Sequence, residues 1–394
     1  MVGMRDVAKK AGVSLSTVSL VVNGTGYVSD DMRAKVQAAM KALDYIPNEL
    51  ARNLAHNRTN MIGVIVPTIR HPFFATLTAV LQREFSARGL HTMLCSTADS
   101  DKGEADYVDM LQRHMMDGLV MAAHTAHPVG YWSAIGRPVV AFDRYLGPGI
   151  PSIGSDHEQG GRLVARELID SGARHVVMVG GPRSQFHDLQ GGGGADGANG
   201  RGAAAPDADT TFPTVRYYLT LEHELDEAGV RHDYVEAGEV SDLEGYAKAM
   251  HELFDQFDGV DAVVSSDFGA ALCVQEVLRR GLLPGADVQV VAYDGTYLAD
   301  TAGVRLTAVC QDFDAIASAL AARMTALIEG EGSDGAPSNL NPAPSGAASA
   351  GALGSADALG APSAGASVPP MDGRLPGSAV ELIPVTLRKG DSTR

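Results

Sequence analysis

The chain has 394 residues, 45% of them apolar, and a formal net charge of −17. That length accommodates two or three domains with sizeable cores, and no run of about 18 apolar residues suggests a membrane span. Three scattered cysteines, Cys95, Cys273 and Cys310, fit neither a disulfide framework nor metal-ligand spacing and read as small buried hydrophobes in a reducing compartment.

The opening, MVGMRDVAKKAGVS, lacks the apolar core and cleavage site of a secretory signal, so a cytoplasmic location is expected. The charge is unevenly spread. Residues 1–60 carry eight Lys or Arg against five Asp or Glu, a balance of +3 that leaves the remainder at −20. Counterion release needs cations only where a protein meets DNA, so a basic headpiece on an acidic body is compatible with DNA binding.

Periodicity predicts short helices at Asp6–Ala11, Leu15–Val22 and Asp30–Leu43, the second capped by Ser14 and the third by Ser29. The third presents Met32, Val36, Met40 and Leu43 on one face. Pro47 and Asn48 open a weakly amphipathic stretch through Ala55. In RDVAKKAGVSLSTVSLVVNG (5–24), Val7, Ala8, Ala11, Val13, Val18 and Val21 can form a small interior across a tight turn at Gly12. Leu15, Ser16, Thr17 and Leu20 then face outward, as on a helix that reads a major groove. A plain helical hairpin has the same periodicity.

From Met61 the pattern becomes strand–helix alternation. Predicted strands are 61–67, 91–96, 118–123 and 138–143, with helices at 73–88 and 103–117. A second series has helices at 157–171, 214–228, 243–256 and 268–280, and strands at 175–181, 233–238, 261–266 and 288–294. Alternation of this kind predicts parallel sheets with right-handed crossovers, here in two lobes with a cleft between them. Two stretches interrupt it, 187–213 and 331–378, both too poor in apolar residues to offset ordering entropy and expected to be mobile. The GGGG run in the first lacks the Gly-Lys-Ser/Thr of a phosphate loop. VELIPVTLRK (380–389) predicts a returning strand, which makes 331–378 a loop.

The chain resembles the lactose-repressor (LacI/GalR) family. The signature D-V-A-x-x-A-G-V-S-x-x-T-V-S-x-V-x-N is met from Asp6 to Asn23, and YIPNELARNLA (45–55) is similar to the family's hinge helix. The likeness continues through GVIVP, HPFF (71–74), PVVAFDR, GSDHEQGG, SSD, VVAYD and TLRKGDST. It implies a helix-turn-helix domain at 1–46, a hinge helix and linker at 47–60, and a periplasmic-binding-protein-like α/β core at 61–330 completed by 379–394.

By that resemblance Leu15, Ser16 and Leu20 read bases, while Ser14, Thr17, Ser19 and Asn23 touch phosphate or brace the turn. Many members carry Arg where Leu20 stands, and leucine cannot make the bidentate guanine contact. Asn48, Ala51 and Leu54 fall in the hinge, with Leu54 matching a residue wedged into the minor groove. The core cleft is expected to take a small effector, a sugar above all, through Phe73, Phe74, Asp143, Arg216, Ser266, Asp267 and Asp294.

Asp143 and Asp294 end predicted strands, where open α/β sheets place ligands, although a strand-end Asp also serves as a cap or turn former. Phe73 and Phe74 can stack on a sugar face or pack in the core. Three departures stand out: Ser266 replaces an Asn, Val240 replaces an aromatic, and Arg216 is one residue off its spacing to Ala228 and Gly229. Trp132 is expected to pack. A homodimer on an inverted-repeat operator follows, without the C-terminal heptads that make tetramers. No cofactor is called for, and the twelve histidines form no catalytic or metal-binding spacing. The alternatives are a regulator of this fold governed by a protein partner and a free sugar-binding protein.

Overall fold

The computed structural model describes residues 2–24, 26–46, 58–100, 103–125, 127, 130–186, 210, 212, 214–330 and 380–394. The hinge calls at Asn48, Ala51 and Leu54, residues 187–209 and the tract 331–378 lie outside the described residues.

Among the described residues the headpiece has three helices, α1 (Met4–Ala11), α2 (Leu15–Asn23) and α3 (Asp30–Ala42). Gly12 ends α1 at φ 68, and its N–H returns to the Ala8 carbonyl. Any side chain there would pay the left-handed penalty, about 1 kcal/mol. Val7, Val18 and Val36 are fully buried at the centre, with Ala8, Ala39, Ala11, Val13 and Val21 around them. Each buried valine contributes about 1.5–3 kcal/mol. Met32 is the exception on the predicted face of α3, at 45% exposure.

Beyond the headpiece the strands of the described residues form two six-stranded sheets. The first contains β1 (Met61–Val66), β2 (His91–Ser96), β3 (Gly118–Met121), β4 (Val139–Phe142), β5 (Ser152–Ser155) and β11 (Val380–Ile383), in the order β11-β5-β4-β3-β1-β2. The second contains β6 (His175–Gly180), β7 (Arg231–Glu236), β8 (Ala262–Ser266), β9 (Gln289–Asp294), β10 (Thr307–Cys310) and β12 (Thr386–Arg388), in the order β12-β10-β9-β8-β6-β7. Every pairing is parallel except β10 with β12. Parallel sheets need both faces covered. Ile62, Val64 and Val66 of β1 pack with Leu77, Leu81 and Phe85 of helix Pro72–Ala87 and with Leu320 and Met324 of helix Phe313–Glu329. Ile65 faces the other way, toward Leu111, Leu119 and Trp132. Trp132 is packed, at 1% exposure.

Among the described residues the chain passes between the lobes three times. It leaves the first sheet after β5, returns after β10, and leaves again between β11 and β12. That third passage corrects the single strand expected at 380–389. Pro384 lies at the break, and the two halves join different sheets, β11 beside β5 and β12 beside β10. Other boundaries also shift. The strand expected at 233–238 is 231–236, the helix from Gly103 stops at Gln112, and β5, β10 and helix Phe313–Glu329 are additional elements. The end of the expected mobile stretch 187–213 is packed: Phe212 is buried with Phe186 and Val215.

Candidate functional site

The second headpiece helix begins with a knot of hydroxyls. Ser14 Oγ accepts from the Thr17 N–H at 3.1 Å and lies 2.7 Å from Ser16 Oγ and 2.8 Å from Thr17 Oγ1. Asn23 Nδ2 donates to Ser19 Oγ at 3.1 Å. Leu15 beside this knot is 44% exposed, an apolar side chain offered outward at a helix N-terminus. Leu20 is half-buried; a Cβ at Gly26 would stand 3.2 Å from its Cδ2. Tyr27, 93% exposed in the loop before α3, was not singled out by sequence, because a lone loop aromatic breaks no periodicity.

A cavity of about 340 Å³ lies where the two lobes meet. The first lobe supplies Phe73, Phe74, Phe142, Asp143 and Arg144, and the second supplies Tyr217, Tyr218, Tyr246, Ser266, Tyr293 and Asp294. Aromatic faces with polar groups at their edges suit a ligand with flat apolar patches and peripheral hydroxyls.

Asp143 follows β4 at φ 45, with glycine opposite it at 154, where a Cβ would collide with its Oδ1. That oxygen accepts from the Ser155 N–H at 3.2 Å and faces His157 Nε2 at 3.0 Å. His157 Nδ1 in turn meets the Tyr293 hydroxyl. An ionised carboxylate only accepts, so the network assigns the proton to Nε2 and makes Nδ1 the acceptor from Tyr293. A second bridge runs from Ser155 Oγ to Gln311 Oε1 at 2.6 Å and from Gln311 Nε2 to Asp294 Oδ1 at 2.9 Å. Both bridges join one lobe to the other beside the cavity.

Asp294 is held at φ 132, a backbone state that costs an L-residue energy. Burial, and then the neighbouring Asp267 charge, push its carboxyl well above the usual carboxylate range.

Phe73, Phe74, Asp143, Ser266 and Asp294 thus line one cavity. Two other expected contacts do not. Asp267 accepts from Gly295 N at 3.2 Å and from Thr296 Oγ1 at 2.6 Å, so its carboxylate clamps the turn after β9 instead of facing the cleft. Arg216 is half-buried off the cavity, and the helix Val215–Glu227 turns Tyr217 and Tyr218 inward in its place. His71, His157 and Gln311 were missed. His71 had a sequence signal, since it opens HPFF; the other two act through partners distant in sequence. Among the described residues no cluster of His, Cys, Asp and Glu could hold a metal.

Comparison with known proteins places this architecture. The model for "Bacterial regulatory proteins, lacI family" matches residues 3–48, and "Periplasmic binding proteins and sugar binding domain of LacI family" matches 59–193. A "Periplasmic binding protein-like domain" matches 165–345. The sucrose operon repressor of Pediococcus pentosaceus is 33% identical over 326 residues, covering 83% of this chain and 92% of that protein. The chain belongs to the LacI family.

Other LacI-family relatives agree. The sucrose operon repressor of Streptococcus mutans is 31% identical over 80% of this chain and 90% of its own length. The ribose operon repressor of Bacillus subtilis is 32% identical over 75% and 82%. A lac repressor dimer bound to operator shares the fold, with a TM-score of 0.69 at 22% identity, over 100% of this chain and 99% of that one. This LacI-family chain is a DNA-binding regulator with a helix-turn-helix headpiece and a two-lobed core.

Proposed function

We propose that the protein is a transcriptional repressor that sits as a homodimer on an inverted-repeat operator and is tuned by a sugar bound between its lobes. It acts by binding and not by catalysis, in the cytoplasm and on the nucleoid. Leu15, Ser16 and Leu20 read base edges, while Ser14, Thr17, Ser19 and Asn23 hold phosphates and the turn. Asn48, Ala51 and Leu54 belong to the hinge part of the same reading. Relatives named as sucrose and ribose operon repressors support a saccharide effector.

The observation that carries this reading is the aromatic cavity shared by both lobes and flanked by the Asp143–His157–Tyr293 and Ser155–Gln311–Asp294 bridges. A ligand shifts operator affinity only by binding two arrangements of the lobes unequally. One that fills a cavity with walls from both lobes, next to the bonds that join them, does so directly.

The test begins with an operator selected from randomised duplexes. Anisotropy of that duplex with the full chain is then read with and without sucrose, ribose, glucose and cellobiose. A shift of operator affinity by one sugar supports the reading. Failure to select any inverted repeat removes its DNA half, and indifference to every sugar removes its effector half.

A further inference from the structure

We infer that the cleft takes an uncharged saccharide and rejects the phosphorylated form of the same sugar, with His71 as the donor that reads a ligand oxygen. This rests on the cleft being the effector site and goes on to name the class of ligand.

A phosphate dianion needs cations or unspent backbone N–H groups. Arg144 is the one Lys or Arg among the described lining residues. Its Nη1 donates to the Asp143 carbonyl at 2.6 Å, and its guanidinium lies 5.1 Å from the centre of the Phe212 ring. Asp143 and Glu239 also line the cavity, so the carboxylates outnumber that cation. The helix Pro72–Ala87 starts at the cleft, yet its first residue has no N–H, and the Phe73 N–H is spent on His71 Nδ1 at 3.4 Å. An arriving phosphate would lose water and meet a single cation beside two carboxylates.

A neutral hydroxyl meets different terms. His71 lines the cavity at 3% exposure, between the rings of Phe74 and Phe268 at 5.9 and 6.3 Å. Because Nδ1 accepts from Phe73, the proton is on Nε2, and Nε2 is buried without a partner. An unsatisfied buried donor costs free energy, which a ligand oxygen would recover. Burial lowers the imidazole pKa to about 4, so the donor carries no charge at neutral pH and offers nothing extra to an anion. On the opposite lobe Asp294 lines the same cavity, and burial shifts its carboxyl toward the neutral form.

Calorimetry of the full chain near pH 7.5 tests this with matched pairs: sucrose and sucrose 6-phosphate, ribose and ribose 5-phosphate, glucose and glucose 6-phosphate. The expected result is that the neutral member of at least one pair binds, and that its phosphate binds at least about tenfold more weakly. His71→Phe should weaken the neutral sugar by about tenfold, and His71→Gln, which keeps an N–H, should recover most of that loss. A phosphorylated sugar that binds as well as or better than its neutral form overturns the inference and leaves the sugar-effector reading standing. Unchanged affinity in a folded His71→Phe removes His71 from the site. Silence from every pair overturns both readings. The comparison within each pair uses the wild-type chain, so it decides the matter even where a variant fails to fold.

Discussion

Asp143 and His157 meet across the lobes: Oδ1 of the residue that follows β4 lies 3.0 Å from Nε2 of the first residue of the helix that opens the second lobe. Both side chains are almost wholly buried, and the other ring nitrogen is taken up by Tyr293. His157→Ala would leave the Asp143 carboxylate with one donor fewer and the Tyr293 hydroxyl without its acceptor. One weakened and one unsatisfied buried group should cost about 1–3 kcal/mol. Urea denaturation checks this, and a loss below about 0.5 kcal/mol, the scale of an ordinary surface change, would contradict the bridge.

Asp294 supplies a second expectation. Its native carboxyl holds a proton well above the pH at which an unfolded Asp releases one. The stability it contributes is therefore whole below about pH 4 and is lost as pH rises toward its native value. Asparagine has no such proton to lose and keeps the acceptor used by Gln311. Asp294→Asn should gain on the wild type as pH rises from about 4 and should bind effector nearly as well, whereas Asp294→Ala should lose about tenfold or more in affinity. Paired urea midpoints at acid and alkaline pH, with calorimetry at neutral pH, read both; a stability gap independent of pH would show that Asp294 is ionised in the native state.

His71 predicts the opposite slope. Its pKa falls to about 4 in the native protein from the 6.5 of a free imidazole. Unfolding then takes up a proton below about pH 6.5, so the stability this group contributes is complete above that value and drains away as pH falls toward about 4, a swing of about 3 kcal/mol. His71→Gln should flatten that part of the profile relative to the wild type. Identical acid limbs in urea titrations of the two proteins would show that the imidazole is hydrated in the native state.

The proposed roles in the headpiece separate reading from holding. Leu15→Ala removes an exposed apolar side chain and leaves the Ser14, Ser16 and Thr17 hydroxyls in place, so on the proposed reading operator binding should weaken by about 1–3 kcal/mol while binding to random duplex stays the same. Ser14→Ala instead takes the cap from the Thr17 N–H and should cost the headpiece about 1 kcal/mol of stability. Competition anisotropy and thermal melting distinguish the two; equal losses on operator and random DNA would remove Leu15 from base reading.

Much of the fold was legible because its signals are local. Runs such as MIGVIV and VQVVAYD announce buried strands, and the 3.6-residue stripe marks helices such as Leu243–Gln256. The elements that escaped carry weaker signals. Ser152–Ser155 has one large apolar residue in four, Thr307–Cys310 is short, and the abundant alanines of Phe313–Glu329 blur its stripe. Strand-end logic placed Asp143 and Asp294 at the cleft, but the helix carrying Arg216 advances about 100° per residue, so a one-residue step exchanges Arg216 for Tyr217. Asp267 has the right residue type at a strand end and spends it on the next turn. Bridges such as that from His157 to Tyr293, 136 residues apart, leave no trace in any local window.

The three passages between the lobes also govern how the protein can be made. Helix Pro72–Ala87 leaves the ribosome early, yet the helix it packs against ends at Glu329, and the β11 edge of its sheet begins at Val380. At about 5–20 residues per second, the first lobe waits roughly 12–50 s for Leu320 and Met324 to cover Leu77 and Leu81. Neither lobe can be finished and set aside while the other is translated. A nascent chain cut short before its final residues would expose an apolar sheet face and an open strand edge, the two features that chaperones and aggregates both seize. Full-length synthesis is thus itself a checkpoint, and truncated products should be insoluble instead of dominant competitors for the operator.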